Sequence, residues 1–337
     1  MRHNRLLRTA EAAVAEDRIQ EMERRAFAAM RHDASSSLRR HFMSRSNRES
    51  EQRLLLGLIG AGIQRSLSPA LHEEEGRHHG LRLHYQLIDL DAAGGGISLP
   101  ELLRAARAMG FAGLNITYPC KQSVMPLLDA LSEEARAIGA VNTVVREGDR
   151  FVGHNTDGSG WAWGFRRALP AADLARVALL GAGGAGSACA DAVLRLGARE
   201  LRVVDREQAR AEDLAARLAR HFSGRDIAVA ADAEAALAGA SGLIHATPAG
   251  MANSPGLALP AELLRPGLWL SDIVYVPLET ELIKAARRAG CAIMHGGHMT
   301  VGQALGAFRL FTGRQADAAR MEAHFRRLAG DAGGLAS

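Results

Sequence analysis

Four short polar motifs precede residue 160: Ser66-Leu67-Ser68-Pro69, Asn115-Ile116-Thr117-Tyr118-Pro119-Cys120-Lys121, Val141-Asn142-Thr143 and Asn155-Thr156-Asp157-Gly158. Each has an ordinary explanation when taken singly. Ser68-Pro69 reads as a helix cap with proline in the first turn, Asn155-Thr156-Asp157-Gly158 as a turn, and Lys121 as a solvated charge. Together they supply hydroxyls, amides, one ammonium and one carboxylate, a set suited to a small polyhydroxylated acid. Three of them follow strand-like segments, at the strand ends where open α/β sheets bind ligands.

A second cluster is chemically independent of the first. The apolar segment Arg176–Leu180 runs into Gly181-Ala182-Gly183-Gly184-Ala185-Gly186, a G-x-G-x-x-G pattern. Helical periodicity from Ala185 to Leu196 follows, closed by Gly197, and a further strand from Leu201 to Val204 ends on Asp205. Glycines there allow a tight turn and close approach of backbone to a pyrophosphate, and the helix N-terminus offers free N–H groups to it. Strand, glycine turn, helix and a delayed acid together predict a dinucleotide site. Asp205 can accept from both ribose hydroxyls and repels a 2′-phosphate, which favours NAD; Arg206 beside it could pair with that phosphate, so NADP stays open. The ordinary role for Asp205 is a cap or turn.

The elements that must hold these groups follow from the hydrophobic pattern. From Leu54 onward, short apolar runs alternate with helical stretches, the signature of an α/β fold with a largely parallel sheet. Strands are expected at Leu54–Ile59, His84–Ile88 and Gly113–Ile116. Helices are expected from Ser68 to about Gly80, at Leu99–Met109 and across Gln122–Ile138, with a hairpin at Val141–Arg146 and Arg150–Gly153. A chain of 337 residues, 47% hydrophobic and 23% charged, is long enough for two domains and too apolar for disorder. The richest apolar run, Val177–Val193, is interrupted by Asp191 and crowded with glycine, so no spanning helix is expected.

The net charge of +4 resides in the first 53 residues, which hold 12 Arg and no Lys against 8 acids; the remainder balances. That removes the basic stripe a nucleic-acid surface needs, leaving only the Arg-rich tail as a polyanion-binding alternative. The tail lacks the apolar centre of a signal peptide and is too acidic for a transit peptide, so it reads as a disordered extension. Met43 is an alternative start, an expectation that a native N-terminus upstream of it would overturn. Cys120, Cys189 and Cys291 form no C-x-x-C pair and read as packing residues in a reducing cytoplasm. His78-His79 and His295-Gly296-Gly297-His298 lack acidic partners at ligand spacing, so no metal is expected, and there is neither a Walker lysine nor a G-x-S-x-G elbow.

The combined motifs resemble the shikimate dehydrogenase family, whose members carry S-x-S-P, N-x-T-x-P-x-K, A-V-N-T and N-T-D-G before a Rossmann domain. The resemblance continues through Ala246-Thr247-Pro248-Ala249-Gly250-Met251, Asp272–Pro277 and Gly297–Ala304, covering about residues 54 to 327 in family order. It implies a substrate-binding domain of residues 54–155 plus 299–330, a Rossmann NAD(P)-binding domain of residues 156–298, and a cleft between them. It also implies that Lys121 and Asp157 are catalytic and that Ser66, Ser68, Asn115, Thr117, Asn142, Tyr275 and Gln303 hold the substrate. Gly181–Gly186, Asp205, Arg206, Thr247, Met251, Val274, Gly296 and Met299 would line the cofactor. The stretch Ala307–Gly313 looks closest to the NAD-using quinate/shikimate branch. Quinate-preferring members tend to carry threonine where this chain has Ser68, which leans toward shikimate.

Reducing a ketone with a nicotinamide needs a proton donor within about 3 Å of the carbonyl oxygen. Lys121 fits that role, protonated for reduction and neutral for oxidation, with Asp157 orienting it. Two positions depart from the family pattern: His245 stands where Asn is common before Ala-Thr-Pro, and Arg65 where histidine is common. The expected protein is a cytoplasmic monomer or homodimer acting on shikimate, quinate or their 3-dehydro forms. The alternative is a dinucleotide-sensing regulatory protein that kept the fold and lost the chemistry; it would be marked by loss of Lys121 or Asp157, and both are present.

Overall fold

The computed structural model describes residues 52–92, 97–252 and 254–333, with side chains to residue 330. The Arg-rich extension, the candidate start at Met43 included, lies outside the described residues apart from Gln52 and Arg53. Two six-stranded sheets organise the rest. The first comprises β1 Arg53–Gly60, β2 Arg82–Asp89, β3 Gly113–Ile116, β4 Ala130–Leu131, β5 Thr143–Glu147 and β6 Arg150–His154, in the order β2-β1-β3-β5-β6-β4. Its helices are α1 Ser68–His78, α2 Leu99–Ala108, α3 Cys120–Ser123 and α4 Glu133–Ile138.

This sheet is mixed rather than largely parallel. β1 pairs in parallel with β2 and β3, but β5 runs antiparallel to both β3 and β6. β5 and β6 form the hairpin expected there, with Gly148, at φ +62°, in its tight connection, and it is the pairing of β5 against β3 that makes the sheet mixed. The helix expected across Gln122–Ile138 is also absent as one element. It divides into α3, a single turn at Met125–Leu127, β4 and α4. Pro126 has no N–H and disfavours helix in the residue before it. Ser132 then opens α4 by accepting from the Ala135 N–H at 3.1 Å.

The second sheet comprises β7 Arg176–Leu180, β8 Glu200–Val204, β9 Asp226–Val229, β10 Gly242–His245, β11 Trp269–Asp272 and β12 Ala292–Met294. It is parallel throughout, in the order β12-β11-β10-β7-β8-β9. Strands covered on both faces need unbroken apolar runs, as in Val177–Leu180 and Gly242–Ile244, all buried. The strand order reverses beside β7, the switch point at which such sheets bind ligands. The helices are α5 Asp157–Ala168, α6 Gly184–Arg195, α7 Gln208–His221, α8 Ala233–Leu237, α9 Glu281–Arg288, α10 Gly296–Thr312 and α11 Ala318–Gly333.

Helices α5 and α10 join the two halves. A Cβ on Gly160 would lie 2.3 Å from the Gln303 nitrogen, and one on Gly302 would lie 2.3 Å from the Gly160 oxygen, so the helices meet backbone to backbone. Further along α10, Val301, Leu305 and Phe308 pack with Leu71 of α1 and with Met321 and Phe325 of α11, while Phe311 reaches Leu56 and Tyr85 under the first sheet. Among the described residues, no helix is long and apolar enough to cross a membrane.

Candidate active site

Gly181 follows β7 at φ +101°, a conformation that side chains rarely tolerate. A Cβ on Gly186 would stand 1.9 Å from the Gly181 oxygen, so that glycine is required for the turn to close. A Cβ on Gly183 would meet nothing within 4 Å, and no side chain caps α6. The first N–H groups of α6 are therefore left without a side-chain partner beside open space at Gly183, the features a pyrophosphate site requires. Ala182 and Ala185 lie in the same turn. Asp205, just past β8, accepts the Ala182 N–H at 2.7 Å on Oδ2 and the Glu207 N–H at 2.9 Å on Oδ1. The carboxylate thus makes the turn contact that was its ordinary reading, and each oxygen keeps a lone pair for a ligand. Arg206 is exposed.

The remaining cofactor candidates differ in their surroundings. Thr247 follows β10, with its Cγ2 3.1 Å from a Cβ built on Gly181. A Cβ on Gly296 would meet the Ile273 and Val274 oxygens at 2.4 Å, so the start of α10 lies against the loop after β11. Met251 is exposed, whereas Val274 and Met299 are buried, Met299 within the core beneath the second sheet.

The substrate-side candidates form a hydrogen-bonded chain. Lys121 Nζ donates to Asp157 Oδ2 at 2.5 Å, with the lysine side chain 16% and the aspartate 5% exposed. Lys121 is therefore not the solvated charge it resembles in isolation. Asn142 Nδ2 donates to Asp157 Oδ1 at 2.9 Å and to Thr156 Oγ1 at 2.9 Å, while its Oδ1 accepts the Thr156 N–H at 2.7 Å. Asn115 Nδ2 donates to Thr143 Oγ1 and to the Asn142 carbonyl, both at 3.1 Å. Tyr85 closes the far end, its hydroxyl donating to Asn115 Oδ1 at 2.7 Å with Ser68 beside it. Burial raises the Tyr85 phenol, and that of Tyr275, which lies beside Ser66. Ser66 Oγ also accepts the Ser68 N–H at 3.3 Å.

Two serines, two asparagines, Tyr275 and the Lys121–Asp157 pair are thus brought together. Gln303 is not tied into the chain, since its Nε2 donates to the Thr300 carbonyl of its own helix. Thr117 packs its methyl against Gly60. Ser68 is the first residue of α1 rather than its cap, and Leu67 caps without a side-chain bond. Asn155 does behave as a turn residue, accepting from the Asp157 and Gly158 N–H groups at 2.9 and 3.3 Å, and so fixes the catalytic candidate at the start of α5. Tyr85 escaped the sequence reading; its signal was an aromatic at an inward β2 position, indistinguishable there from core. Thr143 and Thr156 lay inside motifs already singled out, with no visible role. Cys120 and Cys189 are buried, and burial pushes both thiols up, as packing residues require.

The two halves of the site touch at Gly184. A Cβ on Gly184 would lie 2.9 Å from Lys121 Cβ and 3.2 Å from its Cδ, so the lysine stem rests on the first residue of α6. The lysine side chain and the glycine turn are therefore contiguous. Among the described residues, no group of three or more His, Cys, Asp or Glu side chains is placed to hold a metal.

The chain is similar to known proteins. Residues 58–144 match the family model described as the shikimate dehydrogenase substrate binding domain. The Streptomyces avermitilis protein named shikimate dehydrogenase (NADP(+)) is 57% identical over 281 residues, covering 82% of this chain and 97% of its own. The Corynebacterium efficiens protein named quinate/shikimate dehydrogenase (NAD(+)) is 47% identical, covering 81% and 97%. The solved quinate dehydrogenase from Corynebacterium glutamicum in complex with NAD superposes with a TM-score of 0.75 at 44% identity, covering 82% of this chain and 99% of that one. Relatives named for either dinucleotide are thus similar to it, and with a glycine cradle, a lysine–aspartate pair and this coverage, the chain belongs to the shikimate dehydrogenase family.

Proposed function

We propose that the protein is an NAD(P)-dependent shikimate/quinate dehydrogenase, interconverting 3-dehydroshikimate with shikimate and 3-dehydroquinate with quinate. The observation that carries this is the Lys121–Asp157 pair, 2.5 Å apart and set against the dinucleotide cradle at Gly184. The nicotinamide, when bound, supplies or takes the hydride. Lys121 holds the proton exchanged with the substrate oxygen. Asp157 keeps the ammonium in place, and its own position is fixed twice, by Asn142 on Oδ1 and by Asn155 on its N–H. Ser66 and Ser68 take the substrate carboxylate, while Asn115, Thr117, Asn142, Tyr275 and Gln303 complete the pocket. The Gly181–Gly186 turn, Asp205, Arg206, Thr247, Met251, Val274, Gly296 and Met299 serve the cofactor. The substrate-binding domain comprises residues 54–155 plus 299–330, and the Rossmann domain residues 156–298.

Asp205 supports a preference for NAD. Its carboxylate is anchored by two backbone N–H groups and so remains where a 2′-phosphate would meet it. We place the enzyme in the cytoplasm, as a monomer or homodimer without a nucleic-acid partner. The test is kcat/KM for shikimate and for quinate, each with NAD⁺ and NADP⁺. Activity with NAD⁺ exceeding that with NADP⁺ by tenfold or more supports the reading; an NADP⁺ preference overturns the role of Asp205, and inactivity in all four combinations overturns the function.

A further inference from the structure

His245 ends β10, is fully buried, and takes no part in the chemistry described above. Its Nδ1 lies 2.9 Å from Asp272 Oδ1 and its Nε2 lies 2.6 Å from Thr247 Oγ1. Asp272 Oδ1 also accepts the Val274 N–H at 3.0 Å, and Oδ2 accepts the Thr280 hydroxyl at 2.7 Å. Thr280 Oγ1 in turn accepts the Ile283 N–H at the start of α9. A carboxylate that already accepts from Val274 and Thr280 has no proton to give, so the hydrogen between His245 and Asp272 sits on Nδ1. A neutral imidazole carries one N–H, which leaves a lone pair on Nε2 for the Thr247 hydroxyl. Thr247 Oγ1 then accepts the Ala249 N–H at 3.3 Å and retains one lone pair and no free hydrogen.

Thr247 borders the dinucleotide cradle, its Cγ2 standing 3.1 Å from a Cβ built on Gly181. We propose that His245 is a positioning residue which, held by Asp272, fixes Thr247 as a hydrogen-bond acceptor toward a donor group, a hydroxyl or amide N–H, on the bound dinucleotide. The proposal rests on the dinucleotide reading of that cradle. It explains why an imidazole, with two nitrogens on opposite sides of one ring, occupies a buried strand end between an acid and a hydroxyl. Neighbouring strands set that spacing, because His245 and Asp272 are direct register partners across β10 and β11.

Two measurements test it. Long-range ¹⁵N–¹H correlation spectra of the labelled protein should show His245 protonated at Nδ1 and bare at Nε2; a proton on Nε2 overturns the proposal. The second is NADH affinity, followed by fluorescence. In His245→Asn the amide sits where Nδ1 was and still reaches Asp272, but it is too short to receive the Thr247 proton. In His245→Gln an oxygen occupies the Nε2 position and can receive it. His245→Asn and Thr247→Val should each raise the NADH Kd by about fivefold, the double variant by no more than either alone, and His245→Gln by less than about twofold. His245→Asn binding as the parent does, or His245→Gln binding as weakly as His245→Asn, overturns the proposal. Failure of the parent protein to bind NADH would refute the dinucleotide reading and this role with it, while the spectra would still report the tautomer.

Discussion

The contact between Gly184 and Lys121 makes a sharp demand on one methyl group. Gly184→Ala places a carbon 2.9 Å from Lys121 Cβ, 3.2 Å from its Cδ and 3.4 Å from Ala140 Cβ. Carbon atoms rest about 3.5–4.0 Å apart, so the lysine stem must retreat by roughly 0.6–1 Å. Ala140 restricts the methyl's own escape, and the contact at Cβ lies too near the backbone for a simple rotamer change. A displacement near 1 Å at a reacting group costs about 10²-fold in rate, so kcat should fall by about 10- to 100-fold. The fold should tolerate the change. Gly184 starts α6, where alanine gains up to about 1 kcal/mol in helix propensity against about 1–3 kcal/mol of overpacking. Gly183→Ala is the contrast, because its Cβ meets no protein atom within 4 Å and projects into the open cradle. It should weaken dinucleotide binding while leaving kcat at saturation close to that of the parent. Initial rates at saturating NAD⁺ and shikimate, NADH titrations and thermal melts on both variants separate these effects. A kcat for Gly184→Ala within twofold of the parent, or equal losses of kcat in the two variants, would refute the packing argument.

Lys121→Ala should lower kcat by about 10² or more with KM for shikimate changed less than about tenfold, and the reverse pattern would assign the lysine to binding. Tyr85→Phe leaves Asn115 Oδ1 without its buried donor, so urea unfolding should show a loss of about 1–3 kcal/mol; a loss under 0.5 kcal/mol, on the order of a surface change, would mean the amide finds another partner. His72 is fully buried against Tyr85 with neither ring nitrogen hydrogen-bonded. Burial pushes its pKa from 6.5 to about 4, against the pull of Glu75. Between those values the unfolded chain binds a proton that the folded chain refuses, so stability is full above pH 6.5 and declines as pH falls toward 4, by about 3 kcal/mol at most. His72→Leu should flatten that limb of the pH–stability curve, and an unchanged slope would show that other groups produce it.

Local pattern carried much of this protein. The run Arg176–Leu180, the glycines after it and Asp205 lie within thirty residues, and the backbone conformation they require is set by their own side chains or lack of them. The β7–α6–β8 unit was legible for that reason, as were β3 and the β5–β6 hairpin. The four polar motifs were legible as chemistry because hydroxyls, amides and paired charges are uncommon together at strand ends. What the pattern did not carry was the mixed pairing of the first sheet and the division of one helix. The β5–β6 hairpin follows the expected pattern, but the antiparallel pairing of β5 with β3, which makes the sheet mixed, depended on the edge that β3 offers. Pro126 and Ser132 divided a helix that periodicity alone ran together.

Partner identity belonged to tertiary structure throughout. Tyr85 became the link between Ser68 and Asn115 because β2 lies beside β1, and β1 beside β3, which sequence spacing does not encode. His245 looked like a departure from pattern until β11 brought Asp272 to one side of its ring. The contact of Lys121 with Gly184, 63 positions away, exists because two separately formed sheets meet there. A residue's chemical capacity is local, fixed by its own atoms; the proton it gives or receives depends on which atom stands within about 3 Å, and only the folded chain decides that.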